Sequence, residues 1–234
     1  MTIKEIQNKL IEIHQKGFIE SKRKGPTGIG YTLESELNLL ENNLAIPDIG
    51  GRVELKASRR DSKSLVTLFT FNRGVWNIPQ KYLIENYGYI DPKRRKSIYT
   101  TLYYNNPNPA KLLLDLDEKK QKIHLIDTSG NLIATWNLYI IIGKFVSKLE
   151  RLIMVLGKNR VNPLSKKEEF EFDEAYLLTD PSPENFLSAF KESVMAIDLR
   201  MHIKETGAVR NHGTGFRIFE KDIIKLFSKR TKLL

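Results

Sequence analysis

The sequence predicts a single α/β domain. Ile3, Ile6, Leu10 and Ile13 recur with the period of a helix, which predicts an amphipathic helix near the N-terminus. Residues 52–58 alternate between polar and apolar side chains, which is typical of a half-buried strand. Segments of both kinds follow one another along the chain, with no internal repeat and no linker long enough to require separate domains.

The first third of the chain is predicted to contain helices and strands in alternation. Gly17 can end the first helix, and a loop at 22–30 with three glycines and a proline precedes a second helix at 31–40. Residues 47–51 are predicted to form a turn that leads into the strand at 52–58. A second strand is predicted at 64–71, and a helix that begins at Pro79 and ends at Gly88 follows it.

The middle of the chain resembles a β-meander. Strands are predicted at 97–104, 111–116, 121–127 and 131–136, with a turn at 128–131. The rest is predicted as a helix at 138–149, strands at 151–156 and 169–178, a helix at 183–192, strands at 194–203 and 208–218, and a short helix at 221–227. The aromatic side chains of Trp76, Trp136, Tyr99, Tyr103 and Tyr104 are interpreted as core or interface packing groups rather than as base-stacking platforms.

Composition excludes several classes of site. The 234 residues are 41% hydrophobic and 28% charged, which is ordinary for a globular protein, and no apolar run approaches the length of a membrane span. Cysteine is absent, so disulfides, thiolate zinc sites and a cysteine nucleophile are excluded, and a reducing cytoplasm fits. The four histidines have no pair at zinc-ligand spacing.

The net charge of +10 favours a polyanionic partner, either nucleic acid or an acidic membrane surface. Basic residues cluster at 22–24, 59–60, 93–96 and 225–232. The alternative is that these clusters are solvated faces of a lysine-rich protein.

Two carboxylates and a lysine form the candidate catalytic group. Asp48 lies in the predicted turn, and Glu54 and Lys56 are two residues apart on the predicted strand, so they project from the same side. Two carboxylates can hold Mg²⁺, which lowers the pKa of a bound water and neutralises charge on a phosphate. Lys56 would then orient that water or stabilise the negative charge that develops. Taken alone, the spacing of Glu54 and Lys56 also fits a solvated strand face.

With these residues in view, the sequence resembles the MvaI/BcnI type of restriction endonuclease, a MutH-like group of the PD-(D/E)xK nucleases. The matching segments are 22–34, 43–56, 64–70, 198–202 and 211–218. They bracket the chain from about residue 20 to residue 218, and the middle matches much less well.

The resemblance implies a restriction-endonuclease-like fold, with a mixed central β-sheet flanked by helices and two lobes that form a DNA cleft. Residues 1–234 would be a single nuclease domain. The catalytic lobe would comprise about 1–75 with part of the C-terminal half, and the recognition lobe would comprise the remainder, including 194–218.

The resemblance further implies a type II enzyme that hydrolyses double-stranded DNA with Mg²⁺, or with Mn²⁺ in its place, and leaves 5′-phosphate ends. Such an enzyme would act as a monomer on a short GC-containing site in the prokaryotic cytoplasm, with no membrane partner. A cognate DNA methyltransferase would accompany it. Asp48, Glu54 and Lys56 fall on the catalytic positions of the family, with Asp48 and Glu54 as the metal ligands, and Glu34 falls on a helix-borne glutamate near the site. An exposed helix charge is the alternative for Glu34.

A second group of residues is predicted to contact DNA. The base-recognition candidates are Arg200, His202, Arg210, His212 and Arg217. Arginine is the best bidentate reader of guanine, and histidine can donate to base acceptors. Phosphate contacts or salt bridges with Asp198 are the alternatives for these residues. Contacts with the DNA backbone are predicted for Lys22, Arg23, Lys24, Arg59 and Arg60.

Two other functions remain open at this level. A MutH-like nicking endonuclease of mismatch repair would use the same catalytic group. A non-catalytic DNA-binding protein would use the basic residues alone.

Overall fold

The computed structural model describes residues 2–39, 49–60, 62–71 and 74–234. The helices of these residues are α1 (Ile3–Gln15), α2 (Gly28–Glu36), α3 (Gln80–Tyr87), α4 (Leu138–Lys148) and α5 (Pro183–Lys191), with a 3-10 helix at Glu220–Leu226. The strands are β1 (Ile19–Glu20), β2 (Glu54–Arg59), β3 (Leu65–Phe71), β4 (Tyr89–Ile90), β5 (Lys96–Leu102), β6 (Leu112–Asp117), β7 (Lys122–Asp127), β8 (Leu132–Asn137), β9 (Arg151–Val161), β10 (Glu168–Pro181), β11 (Met195–Ile203), β12 (Val209–Asn211), β13 (Thr214–Phe219) and β14 (Phe227–Lys232).

The chain divides into two compact units. The first unit comprises Met1–Ser64, Val146–Ser182 and Glu220–Leu234, and the second comprises Leu65–Phe145 and Pro183–Phe219. Each unit is therefore built from segments that are distant in sequence. The assignment of a catalytic and a recognition lobe to these units stays a prediction.

The sheet of the first unit is mixed, as the resemblance implies. Its strands lie in the order β1-β10-β9-β2, and β14 also pairs with β10. β2 and β9 run parallel, with Glu54 opposite Leu152, and the other pairs are antiparallel. The sheet thus carries the predicted catalytic strand on its edge.

Helices cover one face of this sheet. Val53 and Leu55 pack in one apolar cluster with buried residues of α1, α2, β9 and β10. Burial of this apolar face stabilises the strand by roughly 25 cal/mol for each Å² removed from water. Because alternate residues of a strand face opposite sides, Glu54 and Lys56 lie on the other face.

The second unit contains two sheets. The larger has the order β3-β13-β11-β5-β4, with β12 also paired to β11, and the smaller is the antiparallel meander β6-β7-β8. The larger sheet buries Ile98, Ile197 and Leu199 on one face, and its other face is polar.

Three local predictions are wrong. The first strand of the predicted meander, β5, instead joins the larger sheet through β11. The two strands are distant in sequence, so local patterns do not reveal their pairing. The second helix begins at Gly28 rather than at residue 31. A Cβ at position 28 would lie 2.4 Å from the carbonyl oxygen of Arg23, so the start of this helix requires glycine. The segment predicted as one strand at 208–218 is two strands, which are separated at Gly213, where φ is +81°.

None of the helices in the described ranges combines the length and the apolar character needed to cross a membrane.

Candidate active site and candidate nucleic-acid interface

A tight turn precedes the strand that carries the candidate catalytic residues. The backbone N–H of Ile49 donates to the carbonyl of Val53 over 2.9 Å, and the N–H of Val53 donates back over 3.3 Å. Gly50 and Gly51, between them, have φ of +59° and +69°, a conformation that favours glycine. This confirms the predicted turn over 49–51. Asp48 lies outside the described residues, so its assigned role stays a prediction.

Glu54 and Lys56 meet on the polar side of β2. The Nζ atom of Lys56 donates to Oε1 of Glu54 over 2.9 Å. The Glu54 side chain is 5% exposed and that of Lys56 is 15% exposed, so the pair is largely removed from water. A solvated strand face would leave both side chains open, which argues against that alternative.

A second lysine contacts the same carboxylate. Nζ of Lys148, the last residue of α4, lies 2.8 Å from Oε2 of Glu54, and its side chain is 16% exposed. Lys148 is not among the site residues predicted from the sequence. Lys148 comes close to Glu54 through the parallel pairing of β9 with β2, which begins four residues after Lys148 by placing Leu152 opposite Glu54. Local sequence patterns do not reveal that pairing.

The oxygen atoms of Glu54 suit a divalent metal ion. Oε2 is buried and accepts no hydrogen bond from the described residues, so its contact with Lys148 is an ion pair without hydrogen-bond geometry. An oxygen of this kind is the ligand type that Mg²⁺ prefers. Within the described ranges, no group of three acidic or histidine side chains is close enough to hold a metal ion. The second predicted ligand, Asp48, falls outside those ranges.

Other acidic groups lie near the strand or on the neighbouring helix. Glu34 is half-buried on α2, which packs against β2. Ser58, two residues beyond Lys56 on the same side of β2, donates its hydroxyl to Glu220. Glu34 thus lies on an element that contacts the catalytic strand, and its predicted assisting role stays a prediction.

The base-recognition candidates lie on the polar face of the larger sheet in the second unit. In the register of β11, Arg200 is opposite Tyr99 of β5, and His202 is opposite Arg210 of β12. Directly paired residues point to the same side of a sheet. The structure therefore brings Arg200, His202 and Arg210 together on one surface with Tyr99.

Arg217 shares this face and is held by an ion pair. Its NH1 group donates to Asp198 over 2.6 Å, and its NH2 group donates to the carbonyl of Leu65. This is the salt bridge with Asp198 that the sequence left open as an alternative. The base-contact role of Arg217 stays a prediction. In that role, Arg217 would use the N–H groups of its guanidinium that take no part in these two bonds.

Arg200 retains donors for a ligand. Its Nε atom is buried without a hydrogen-bond partner among the described residues, and NH2 makes a long contact of 3.4 Å with the Thr70 hydroxyl. A Cβ at Gly215 would lie 3.4 Å from that NH2 group. The glycine therefore leaves room for the guanidinium.

The two histidines of this face lie close together but differ in surroundings. The ring centroids of His202 and His212 are 5.7 Å apart. His202 is 8% exposed, and both of its ring nitrogens are hydrogen-bonded, to Arg95 and to Tyr99. Burial, followed by the charge of Arg95, lowers the pKa of His202. His212 is more exposed, and desolvation followed by the charge of Arg210 lowers its pKa as well. Both rings are therefore held in the neutral form more firmly than a free histidine.

Most of the predicted backbone-contact residues are engaged within the protein. Arg59 makes two bonds of 2.7 Å to Glu168, and Arg60 pairs with Asp173 and Glu174. Further contacts join Lys22 to Glu36 and stack Arg23 on Tyr31. Lys24 is exposed and has no ion pair within the described residues. Their predicted DNA contacts stay predictions, and Lys24 is the least constrained of the five.

Comparison with known proteins now identifies the family. The model of the MvaI/BcnI restriction endonuclease family matches residues 7–227, which is nearly the whole chain. The chain belongs to the MvaI/BcnI restriction endonuclease family. Members of this family are type II site-specific deoxyribonucleases, so this family member is a restriction endonuclease, and the predicted resemblance is confirmed.

Solved structures agree on the fold of this family member. It is similar to the restriction endonuclease MvaI in complex with its cognate DNA substrate, with 22% identity, a TM-score of 0.80 and all of both chains covered. It is also similar to MvaI in the absence of DNA, with 21% identity, a TM-score of 0.59, and 100% of this chain and 99% of the other covered. No significant match was found among curated protein sequences.

Proposed function

We propose that this restriction endonuclease is a Mg²⁺-dependent enzyme that cleaves double-stranded DNA at a short GC-containing site, leaves 5′-phosphate ends and acts as a monomer. The observation that carries the proposal is the buried Glu54 carboxylate held between Lys56 and Lys148, at 2.9 Å and 2.8 Å. Two ammonium groups beside a metal-binding type of oxygen form a site suited to a reaction that builds negative charge on a phosphate.

The residues of the first unit divide the chemistry between them. Glu54 and Asp48 would hold Mg²⁺, with Mn²⁺ as a substitute, and the bound ion would activate a water molecule and neutralise charge on the phosphate. Lys56 orients that water or stabilises the developing charge, and the buried face of β2 keeps it in place. Glu34 assists from α2 by positioning Lys56 or a water molecule.

The partner of this site is double-stranded DNA. The similar MvaI structure is a complex with its cognate DNA, which supports the same class of substrate here. Arg200, Arg210 and His212 supply the contacts with base edges, and Lys24 supplies a contact with the phosphate backbone. A restriction enzyme also requires that host DNA be protected, so we assign it a cognate methyltransferase and a cytoplasmic site of action.

Digestion of a fully sequenced plasmid with Mg²⁺, followed by mapping of the ends, tests this function. We expect double-strand cuts at one short sequence without mismatch-repair partner proteins. Lys56→Ala should lower the cleavage rate by at least about 10²- to 10³-fold, because a charge-stabilising donor is lost. Asp48→Ala should abolish cleavage at every Mg²⁺ concentration tested, because a proposed metal ligand is lost.

Lys122→Ala is the matched control for Lys56→Ala, because Lys122 is a strand lysine of the small meander sheet. It should cleave as the wild type does. Intact Mg²⁺-dependent cleavage in both Asp48→Ala and Lys56→Ala would refute the catalytic assignment. Cuts confined to one strand and dependent on repair proteins would instead indicate a nicking endonuclease.

A further inference from the structure

Tyr99 lies on β5, on the polar face of the larger sheet and opposite Arg200, although the sequence suggests only a packing role for it. Its side of β5 also carries Thr101, which donates to Asp198 over 2.8 Å. Tyr99 is 38% exposed, whereas the next aromatic partner on this face, His202, is buried. Tyr99 is therefore not a core residue, and its hydroxyl requires an explanation.

A chain of hydrogen bonds leads from Asp91 to this hydroxyl. Asp91 accepts bonds from Nε and NH2 of Arg95 at 2.9 Å and 2.7 Å and is further fixed by the Ser97 hydroxyl at 2.9 Å. The guanidinium so held directs NH1 to Nε2 of His202 over 3.2 Å. The Nδ1 atom of His202 lies 3.2 Å from the hydroxyl oxygen of Tyr99.

The chemistry of arginine sets the direction of this chain. A guanidinium only donates hydrogen bonds, so Nε2 of His202 must accept. A neutral imidazole has one N–H group, which must then be at Nδ1, and that group donates to the oxygen of Tyr99. The neutral form agrees with the lowered pKa of His202. The hydroxyl of Tyr99 receives a bond and retains its own hydrogen for a partner outside the protein.

We infer that Tyr99 is a specificity-determining residue whose hydroxyl, oriented through Asp91, Arg95 and His202, donates to a hydrogen-bond acceptor on the edge of a DNA base. The inference rests on the proposed function as a DNA-cleaving enzyme. The acceptors that fit are N7 and O6 of guanine, N7 of adenine and O4 of thymine in the major groove. The amino groups of cytosine and adenine would meet a second donor and would be disfavoured.

The surroundings of Tyr99 strengthen the bias towards acceptors. Arg200 is its directly paired neighbour on β11, and the ring of His212 lies 6.5 Å away between centroids. Both arginines that flank the two histidines, Arg200 and Arg210, can only donate. A protein face that offers donors from several side chains matches the major-groove edges of guanines, which present acceptors, better than those of cytosines, which present an amino group.

The direction of the hydrogen-bond chain can be measured without DNA. In the full-length protein with ¹⁵N-labelled histidine, a two-bond ¹H–¹⁵N correlation spectrum should show His202 as the Nδ1–H tautomer. Arg95→Met should remove that preference, because Nε2 would no longer be obliged to accept. An Nε2–H tautomer of His202 in the wild type would overturn the inference, whether or not the protein cuts DNA.

The DNA partner is identified with Tyr99→Phe and with cognate substrates that lack one acceptor at a time. Tyr99→Phe should lower kcat/KM on the cognate site by about 10- to 100-fold, as for loss of one direct base contact. One substrate with a 7-deazapurine, or with a thymine that lacks O4, should lower kcat/KM of the wild type by a similar factor. The same substrate should not lower kcat/KM of Tyr99→Phe any further. Tyr139→Phe is the control, because Tyr139 is 70% exposed on α4.

Two results would contradict the assignment. If every base substitution adds its full cost to that of Tyr99→Phe, the hydroxyl contacts no base acceptor. If the only non-additive substitution is a methylphosphonate, the hydroxyl contacts a phosphate and does not determine specificity. Absence of any cutting by the wild type would count against the proposed function, while the tautomer measurement would still decide the orientation of the hydroxyl.

Discussion

At the scale of single residues, the charge balance around Glu54 sets what each lysine does. Among the described residues, the Glu54 carboxylate is contacted by two ammonium groups, which under the proposed function would face the developing negative charge of a phosphate. Lys56 shares the strand with Glu54, whereas Lys148 approaches from the end of α4. The two ammonium groups therefore reach the same carboxylate from different elements.

Lys148→Met tests the contribution of the second lysine, since methionine keeps the length of the side chain and removes its charge. We expect the rate of the bond-breaking step in a single-turnover assay to fall by roughly 10²-fold, from the loss of one charge-stabilising donor. Lys191→Met is the control, because Lys191 also ends a helix but pairs with the exposed Glu118. A rate for Lys148→Met within twofold of the wild type would leave Lys56 as the one functional lysine of this pair.

The candidate site could be predicted from the sequence only where its geometry is local. Glu54 and Lys56 are two residues apart on one strand, so alternation alone places them together. Lys148 reaches Glu54 because β9 pairs with β2, and Tyr99 reaches Arg200 because β5 pairs with β11. Strand pairings between distant segments depend on the packing of the whole unit, and local patterns do not carry that information.

At the scale of elements, the positions of most helices and strands follow from periodicity and turn residues. The helix predicted at 138–149 is observed as α4 at Leu138–Lys148, because its buried residues Leu138, Ile141 and Phe145 recur at helical spacing. The last strand, β14, was missed. Its residues are mostly exposed and basic, and the strand forms by pairing with β10.

The turn before β2 provides a test of how an element positions the site. Gly50 has φ of +59° and open space around its Cα, so Gly50→Ala should cost about 1 kcal/mol of unfolding free energy through backbone strain alone. Gly130→Ala should cost a similar amount, since Gly130 has φ of +85° and open space in the turn between β7 and β8. Only Gly50→Ala should also lower the cleavage rate, because its turn leads directly to Glu54. Urea unfolding and cleavage assays measure the two effects. Equal cleavage by both variants would show that the turn supplies stability alone.

At the scale of the whole molecule, the surplus of positive charge does not by itself say which cations meet DNA. The net charge is +10, yet several basic side chains are committed to internal ion pairs. An arginine whose charge is already offset by a carboxylate neutralises little phosphate charge, so few counterions leave the DNA when it approaches. The salt dependence of binding therefore reports the uncommitted cations.

Lys24→Ala and Arg59→Ala separate these two classes of cation. Lys24 is exposed without an ion pair in the described part of the chain, whereas Arg59 is bound to Glu168 through two bonds of 2.7 Å. In a plot of log binding constant against log salt concentration for nonspecific DNA, Lys24→Ala should make the slope shallower by about 0.9, the effect of one phosphate contact. Arg59→Ala should leave the slope nearly unchanged and lower the thermal stability of the first unit instead, since Glu168 loses its ion-pair partner. Fluorescence anisotropy over a range of salt concentrations measures the slopes. A shallower slope for Arg59→Ala alone would mean that the Arg59–Glu168 pair opens on DNA and that internal pairing does not decide which cations bind phosphate.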